Sequence, residues 1–244
     1  MTLAEKYLQT VKGQIEALGN SQVASVETAA GWFAEAISAG RLVYIFGTGH
    51  SHMLAEELFY RAGGLASIVP MLQPQLMLHE SASASTQAER DSEIVRKLLQ
   101  QYPMSSGDVL VVASNSGRNA CPVELSMAAK GRSVRTIALL NAAHGTKWAS
   151  RHPSGKRLGD VADLVIDNCG VEGDACVPLP GSDLSVGATS SVTGCLIMQM
   201  IACRATEMLY AAGTPPDLYQ SSNANNDQRN AAIITEYKQN NPHL

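Results

Sequence analysis

No stretch of about 18 consecutive apolar residues occurs in this 244-residue chain, which argues against a membrane-spanning helix. The opening segment, "MTLAEKYLQTVKGQIEALG", has polar residues on every turn and lacks the apolar core of a secretory signal. The five cysteines are odd in number and none are spaced as a CxxC pair. Neither a disulfide framework nor a structural zinc site is expected. Cys195 and Cys203 fall in an apolar helical stretch, where cysteine acts as a small hydrophobe. Together these absences point to a reducing cytoplasm. Basic residues form no stripe: Lys and Arg number 18 against 22 Asp and Glu, a net charge of −4, with one small basic group between Lys147 and Arg157. A nucleic-acid partner is therefore not expected. There is also no internal repeat, low-complexity linker or compositional break to divide the chain, which reads as a single domain.

What is present is an ordinary globular composition, 45% hydrophobic and 16% charged. Leu3, Tyr7, Leu8, Val11, Ile15 and Leu18 recur at three- and four-residue steps, the signature of one apolar helix face. Gly19-Asn20 is expected to end that helix and Ser21 to cap a second one carrying Val23, Val26, Ala30, Phe33 and Ile37. This helical hairpin, residues 1–39, packs either on its own domain or also on a second subunit. From Gly40 the pattern changes to short β-rich apolar runs: Leu42–Phe46, Val109–Ala113, Val134–Leu140 and Ala162–Asp167, with a weaker one near Ala66–Leu72. Helical patterns lie between several of them, such as Ser51–Ala62 and Ala120–Lys130. Buried strands alternating with helices predict an α/β core over 40–212, with a parallel sheet covered on both faces. A long apolar helix starts near Thr189, and an Asn-rich, partly helical polar tail occupies 213–244.

Ligands of such sheets bind beyond the carboxyl ends of the strands, and two glycine turns fall there. The first, "GTGHS" (Gly47, Thr48, Gly49, His50, Ser51), lacks the features of the common nucleotide motifs. A dinucleotide fingerprint needs a small residue where His52 stands and an acidic residue after the next strand. A nucleoside triphosphate loop needs a lysine after the last glycine, and none follows Gly49. The second turn is "SNSGRN". Ser114, Ser116 and Asn119 offer donors, Gly117 lets the backbone approach a ligand, and the next helix supplies free N–H groups. Such a loop suits an anion, above all a phosphate. An N-capping serine in an ordinary turn would use the same residues, but the matching turn after another strand favours the anion site. A third stretch, "GATSS" around Thr189 and Ser190, opens the long helix.

The order "GTGHS"–helix–strand–"SNSGRN" resembles the sugar isomerase (SIS) domain of phosphosugar isomerases and phosphosugar-binding regulators, over roughly Gly40 to Ala212. "GHSHMLAEELFYRAGG", "LMLHE", "RHPSGKRL", "DNCGVEGDA" and "VGATSSVTG" narrow the resemblance to a group of bacterial SIS-domain proteins. The Ser-Gly-Arg of the second loop is shared with N-acetylmuramic acid 6-phosphate etherase. The resemblance implies a three-layer α/β/α sandwich of flavodoxin-like topology, a homodimer or higher homo-oligomer, and a phosphorylated sugar as ligand, an amino or N-acetyl sugar phosphate. Its phosphate would sit on Ser114, Asn115, Ser116, Gly117 and Asn119, with Gly47, Thr48, Gly49, Ser51, Thr189 and Ser190 completing the pocket. Asn119 stands where many family members have threonine.

The chemistry implied is aldose–ketose isomerisation by Glu/His acid–base catalysis. An etherase-type lyase and a non-catalytic phosphosugar sensor are the alternatives. Isomerisation and elimination both need a base near neutral pH. Glu80, in "LMLHESAS", is the first candidate, with Glu57 or Glu56 on the helix after the first loop as the next. His50 and His79 are candidate acid–base partners, and His152 and Lys156 of "RHPSGKRL" are candidate basic contacts. No cofactor is expected. The one metal alternative is a divalent ion, as in the zinc-bearing heptose phosphate isomerases, held here by His50, His52 and His79.

Overall fold

Five short apolar runs that the chain can hide only by burying both faces become one parallel sheet. The computed structural model describes residues 1–244 except the side chains at 145 and 146. In chain order the elements are α1 (Leu3–Ser21), α2 (Val23–Ser38), β1 (Val43–Gly47), α3 (Met53–Leu58), β2 (Ile68–Met71), α4 (Ala82–Ala88), α5 (Ile94–Gln101), β3 (Val109–Ala113), α6 (Ala120–Lys130), β4 (Arg135–Leu140), α7 (Ala142–Lys147) and α8 (Leu158–Val161). There follow β5 (Leu164–Asp167), a hairpin of β6 (Ala175–Pro178) and β7 (Ser185–Ala188), then α9 (Ser190–Ala211) and α10 (Asp227–Tyr237). The sheet order is β2-β1-β3-β4-β5 with every neighbour parallel. This is the flavodoxin-like winding, which reverses direction between β1 and β3.

Alternation along each strand divides the core into two layers. Val43, Ile45, Val109, Val111, Ile137, Leu139 and Ile166 face one side, where Phe33, Leu54, Ile197, Met198 and Ile201 of α2, α3 and α9 cover them. Tyr44, Phe46, Leu110, Val112 and Ala138 face the other, against Val95, Leu98, Val123, Leu125 and Leu158 of α5, α6 and α8. Helix α9 is long and apolar enough to cross a membrane by length and composition. In this fold it is a core helix, packed on α2 and α3 through Ile197, Met198, Ile201 and Ala205.

Three boundaries differ from the sequence expectation. Ser21 does not cap α2. It is the last residue of α1, its hydroxyl donates to the Ala17 carbonyl at 2.7 Å, and the chain passes into α2 through Gln22 with nearly helical dihedrals. Gly19-Asn20 is accordingly inside a helix, its flexibility overridden by packing. The helix expected over Ser51–Ala62 is shorter: a 3₁₀ turn over Gly49–His52 leads into α3, which stops at Leu58 before Tyr60 turns to φ 43°. The polar tail is held to the sheet edge. Ala66 N–H donates to the Asp217 carbonyl, Asn241 Nδ2 reaches the Ile68 carbonyl, and Tyr102 Oη meets His243 Nε2 at 2.7 Å.

Asp163, just before β5, ties β4, β5 and the end of α6 together. It accepts from the Thr136 N–H and hydroxyl, both at 2.9 Å, and from Lys130 Nζ at 2.7 Å. Burial pushes its pKa up, but the hydrogen bonds from Lys130 and Thr136 outweigh this and hold the carboxyl below the usual range. Its stabilising contribution is thus present above the ordinary aspartate pKa of about 3.9 and is lost as pH falls through the lower folded value. Asp163→Asn should lower unfolding stability at pH 7 by about 1–2 kcal/mol. In urea titrations the gap from wild type should close as pH falls below about 4. A gap unchanged at pH 3 would contradict this assignment.

Candidate functional site

The switch between β1 and β3 leaves a crevice at their carboxyl ends, because the chain departs toward opposite faces of the sheet on either side of it. Gly47 ends β1 with no room for a side chain: an added Cβ would lie 2.3 Å from the Ser51 carbonyl oxygen. The turn can therefore fold back over the strand end, with Ser51 N–H donating to the Thr48 carbonyl at 3.0 Å. The second loop turns at Gly117, φ +59°, whose N–H donates to the Ser114 carbonyl at 3.0 Å and to Ser114 Oγ at 3.2 Å. Leu158 N–H caps the Gly117 carbonyl from behind.

These loops and the start of α9 converge on a narrow polar cleft. Ser51, Ser114, Asn115, Asn168, Ser190 and Ser191 supply its polar wall, and Leu54, Ala113 and Leu139 its floor. Asn168 is buried and donates to Asn115 Oδ1 at 2.8 Å, which fixes the Asn115 amide with its NH₂ directed elsewhere. Asp174 accepts from the backbone N–H of Thr189 and Ser190 and from Ser190 Oγ at 2.6 Å. A carboxylate already caps α9 beside the cleft. Thr189 itself is fully buried, and its hydroxyl has no partner among the described residues.

On the other side of the strand ends lies a polar bridge between the loops. Glu89, just past the end of α4, accepts from Thr48 Oγ1 and from Asn119 Nδ2, both at 2.8 Å. Arg151 donates to Asn119 Oδ1 at 2.8 Å. The Asn119 amide, expected to meet a phosphate, is thus committed at both ends within the protein. Burial pushes the Cys121 thiol far up, and the charges of Glu89 and Asp91 add to the shift, so this cysteine is an inert core thiol. Glu89 and Arg151 were not among the expected residues. Both are far in sequence from the loops they join; Glu89 lies in a stretch without a motif, whereas Arg151 opens the "RHPSGKRL" stretch, from which only His152 and Lys156 were expected at the site.

Several expected residues stand away from the cleft. Glu80 is exposed, 3.7 Å from His79 and just outside α4. Glu57 pairs with Arg61 and accepts from Gln199 at 2.8 Å, so it is turned toward α9. Glu56 is exposed, 3.7 Å from His52. His50 is exposed on the 3₁₀ turn, whereas His52 is buried with Nδ1 against the Gly49 carbonyl. His52 and His79 do approach, their ring centroids 6.2 Å apart. However, no group of three His, Cys, Asp or Glu is arranged to hold a metal ion among the described residues, so the His50/His52/His79 alternative is not formed. His152 is buried between Glu124, 2.8 Å from Nε2, and Ser154, 2.7 Å from Nδ1. It braces the loop that carries Arg151. Lys156 is exposed. Ser116 is half-buried in the turn beside Gly117.

The family model described as the SIS domain matches residues 6–141, more than half of the chain. A UPF0309 protein of Listeria innocua is 37% identical over 243 residues, covering 99% of this chain and 98% of that one. Among solved structures, a phosphoheptose isomerase of Francisella tularensis aligns over 85% of this chain and 100% of its own, with a TM-score of 0.56 and 17% identity. The Vibrio vulnificus NanR protein complexed with ManNAc-6P aligns over 96% of this chain and 69% of its own, with a TM-score of 0.51 and 14% identity. At those identities the two structures speak to the fold alone. The strand order, the paired loops at the crossover and the end-to-end sequence match have one reading: this chain belongs to the SIS domain family, within its UPF0309 group.

Proposed function

We propose that this protein binds a phosphorylated sugar at the crossover between β1 and β3, an amino or N-acetyl sugar phosphate, and isomerises it between aldose and ketose. The observation that carries the reading is the cleft itself, where Ser51, Ser114, Asn115, Ser190 and Ser191 converge from three separate segments. Hydroxyl and amide donors suit a phosphate, and the strand ends exclude water from below. The ligand of NanR, a phosphorylated N-acetyl amino sugar, supports the choice of sugar class. The apolar Leu3, Leu8 and Ile15, which α1 leaves exposed, support a homodimer or higher homo-oligomer.

The base in this reading is Glu89, in preference to Glu80. Its carboxylate is held at the strand ends by one hydrogen bond to each oxygen, which leaves a lone pair on each. It takes the proton from the carbon beside the sugar carbonyl and returns it to the former carbonyl carbon, through an enediolate where the first carbon bears a hydroxyl and an enaminol where it bears nitrogen; in the second case water hydrolyses the resulting ketimine to the ketose and releases the amine. An etherase-type elimination would begin with the same proton abstraction. One observation favours the sensor reading: neither carboxylate nor imidazole lines the serine cleft itself.

In a thermal-shift panel, glucosamine 6-phosphate and N-acetylmannosamine 6-phosphate should raise the melting temperature while the unphosphorylated sugars do not. Ser114→Ala should weaken binding by about 10-fold or more, the loss of one hydrogen bond to a charged group. An equal response to the unphosphorylated sugars would refute the phosphate seat. For the base, incubation of a bound sugar phosphate in D₂O should exchange the hydrogen beside the carbonyl, and Glu89→Gln should slow this by about 100-fold or more. Exchange at the wild-type rate in Glu89→Gln would remove Glu89 as base. Binding without any exchange in wild type would select the sensor.

A further inference from the structure

Arg118 and Arg151 meet at the Asn119–Glu89 pair from two different segments, and Arg90, on a third, is near enough to act on the charge of Arg151. Arg118 precedes Asn119 on the second loop, and Arg90 follows Glu89 directly. Arg151 donates its backbone N–H to the Arg118 carbonyl at 2.8 Å and its guanidinium to Asn119 Oδ1 at 2.8 Å. Arg118 Nε is fixed on the Ala149 carbonyl at 3.0 Å, and its two terminal nitrogens make no hydrogen bond or ion pair among the described residues. Elsewhere in the molecule Arg61, Arg135 and Arg204 each pair with a glutamate. Among the described residues no ion pair involves Arg90, Arg118 or Arg151. The carboxylate in their midst, Glu89, is taken up by the neutral donors Thr48 and Asn119.

We infer that these guanidinium groups form a second anion subsite beside the serine cleft, and that the sugar phosphate bound here carries a second negative group, a carboxylate or another phosphate. The inference rests on the phosphosugar reading above and narrows its substrate class. Three like charges gathered around a single carboxylate still repel one another. Partial burial and the charges of Arg118 and Arg90 lower the Arg151 pKa, with Glu89 opposing. A bound anion relieves that repulsion, and guanidinium is the side chain whose fork matches carboxylate and phosphate oxygens. The subsite belongs to the same crevice. Arg118 and Ser114 share one loop, and Glu89 is bonded to Thr48, three residues before Ser51.

Calorimetric titration of the full chain at fixed ionic strength tests this with three probes: glucose 6-phosphate, 6-phosphogluconate and glucose 1,6-bisphosphate. The inference expects at least one of the two doubly anionic probes to bind about 10-fold tighter than glucose 6-phosphate. Whichever does so identifies the second group as carboxylate or phosphate. The advantage should vanish in Arg90→Gln/Arg118→Gln, with glucose 6-phosphate affinity changed less than about 2-fold. Equal binding of all three probes by wild type, or an advantage that persists in the double variant, would overturn the subsite and leave the phosphosugar reading intact. Failure of every probe to bind would overturn the subsite; the phosphosugar reading falls separately, if glucosamine 6-phosphate and N-acetylmannosamine 6-phosphate also leave the melting temperature unchanged.

Discussion

The winding of the sheet about β1 is the constraint on which the rest depends. β1 pairs with β2 on one side and β3 on the other, both parallel. The connections from β1 and β3 therefore leave in opposite directions and cannot fill the space between them. Gly47 makes that space usable, since no side chain fits under the Ser51 carbonyl. The two loops can then stand face to face with their hydroxyls at the strand ends. What joins them is not backbone pairing but Glu89, which reaches in from the end of α4 to bond Thr48 and Asn119 at once. A buried polar group with every partner in place is rigid, and one missing a partner is costly. The bridge therefore fixes the relative position of the loops.

The electrostatics of the crevice are divided. On the α9 side the helix N-terminus is already capped by Asp174, through two backbone N–H groups and the Ser190 hydroxyl. An anion there relies on neutral donors more than on the helix dipole. On the α6 side the guanidinium groups of Arg90, Arg118 and Arg151 gather without ion-pair partners among the described residues. A sugar phosphate with a second negative group would span the two, with its reactive carbons near the Glu89 carboxylate. The proposed mode of recognition and the proposed base both rest on that one geometry.

Much of this was legible in the sequence. Val109–Ala113 and Ala120–Lys130 form the strand and helix their patterns predict, because a fully apolar run between turns has few alternatives. The Ser-x-Ser-Gly loop was readable for the same reason. Other features were hidden. The β6–β7 hairpin is largely exposed, with Ser185, Val186 and Ala188 open to solvent, so it carries little of the apolar alternation that marks a half-buried strand. Glu80 follows an apolar run that does bury, at Leu76 and Met77, but the chain emerges at His79 and carries the carboxylate outside. Glu89 and Arg151 owe their places to tertiary contacts alone, and Asp174 owes its cap to a turn at φ +69° that no local pattern announces.

Where a phosphate sits in the crevice is the most direct test of the proposed site. An X-ray structure of the protein soaked with glucosamine 6-phosphate should show the phosphate against Ser51, Ser114 and Ser190, and the sugar carbons directed toward Glu89. A phosphate bound elsewhere, or a sugar ring turned away from Glu89 toward solvent, would contradict it.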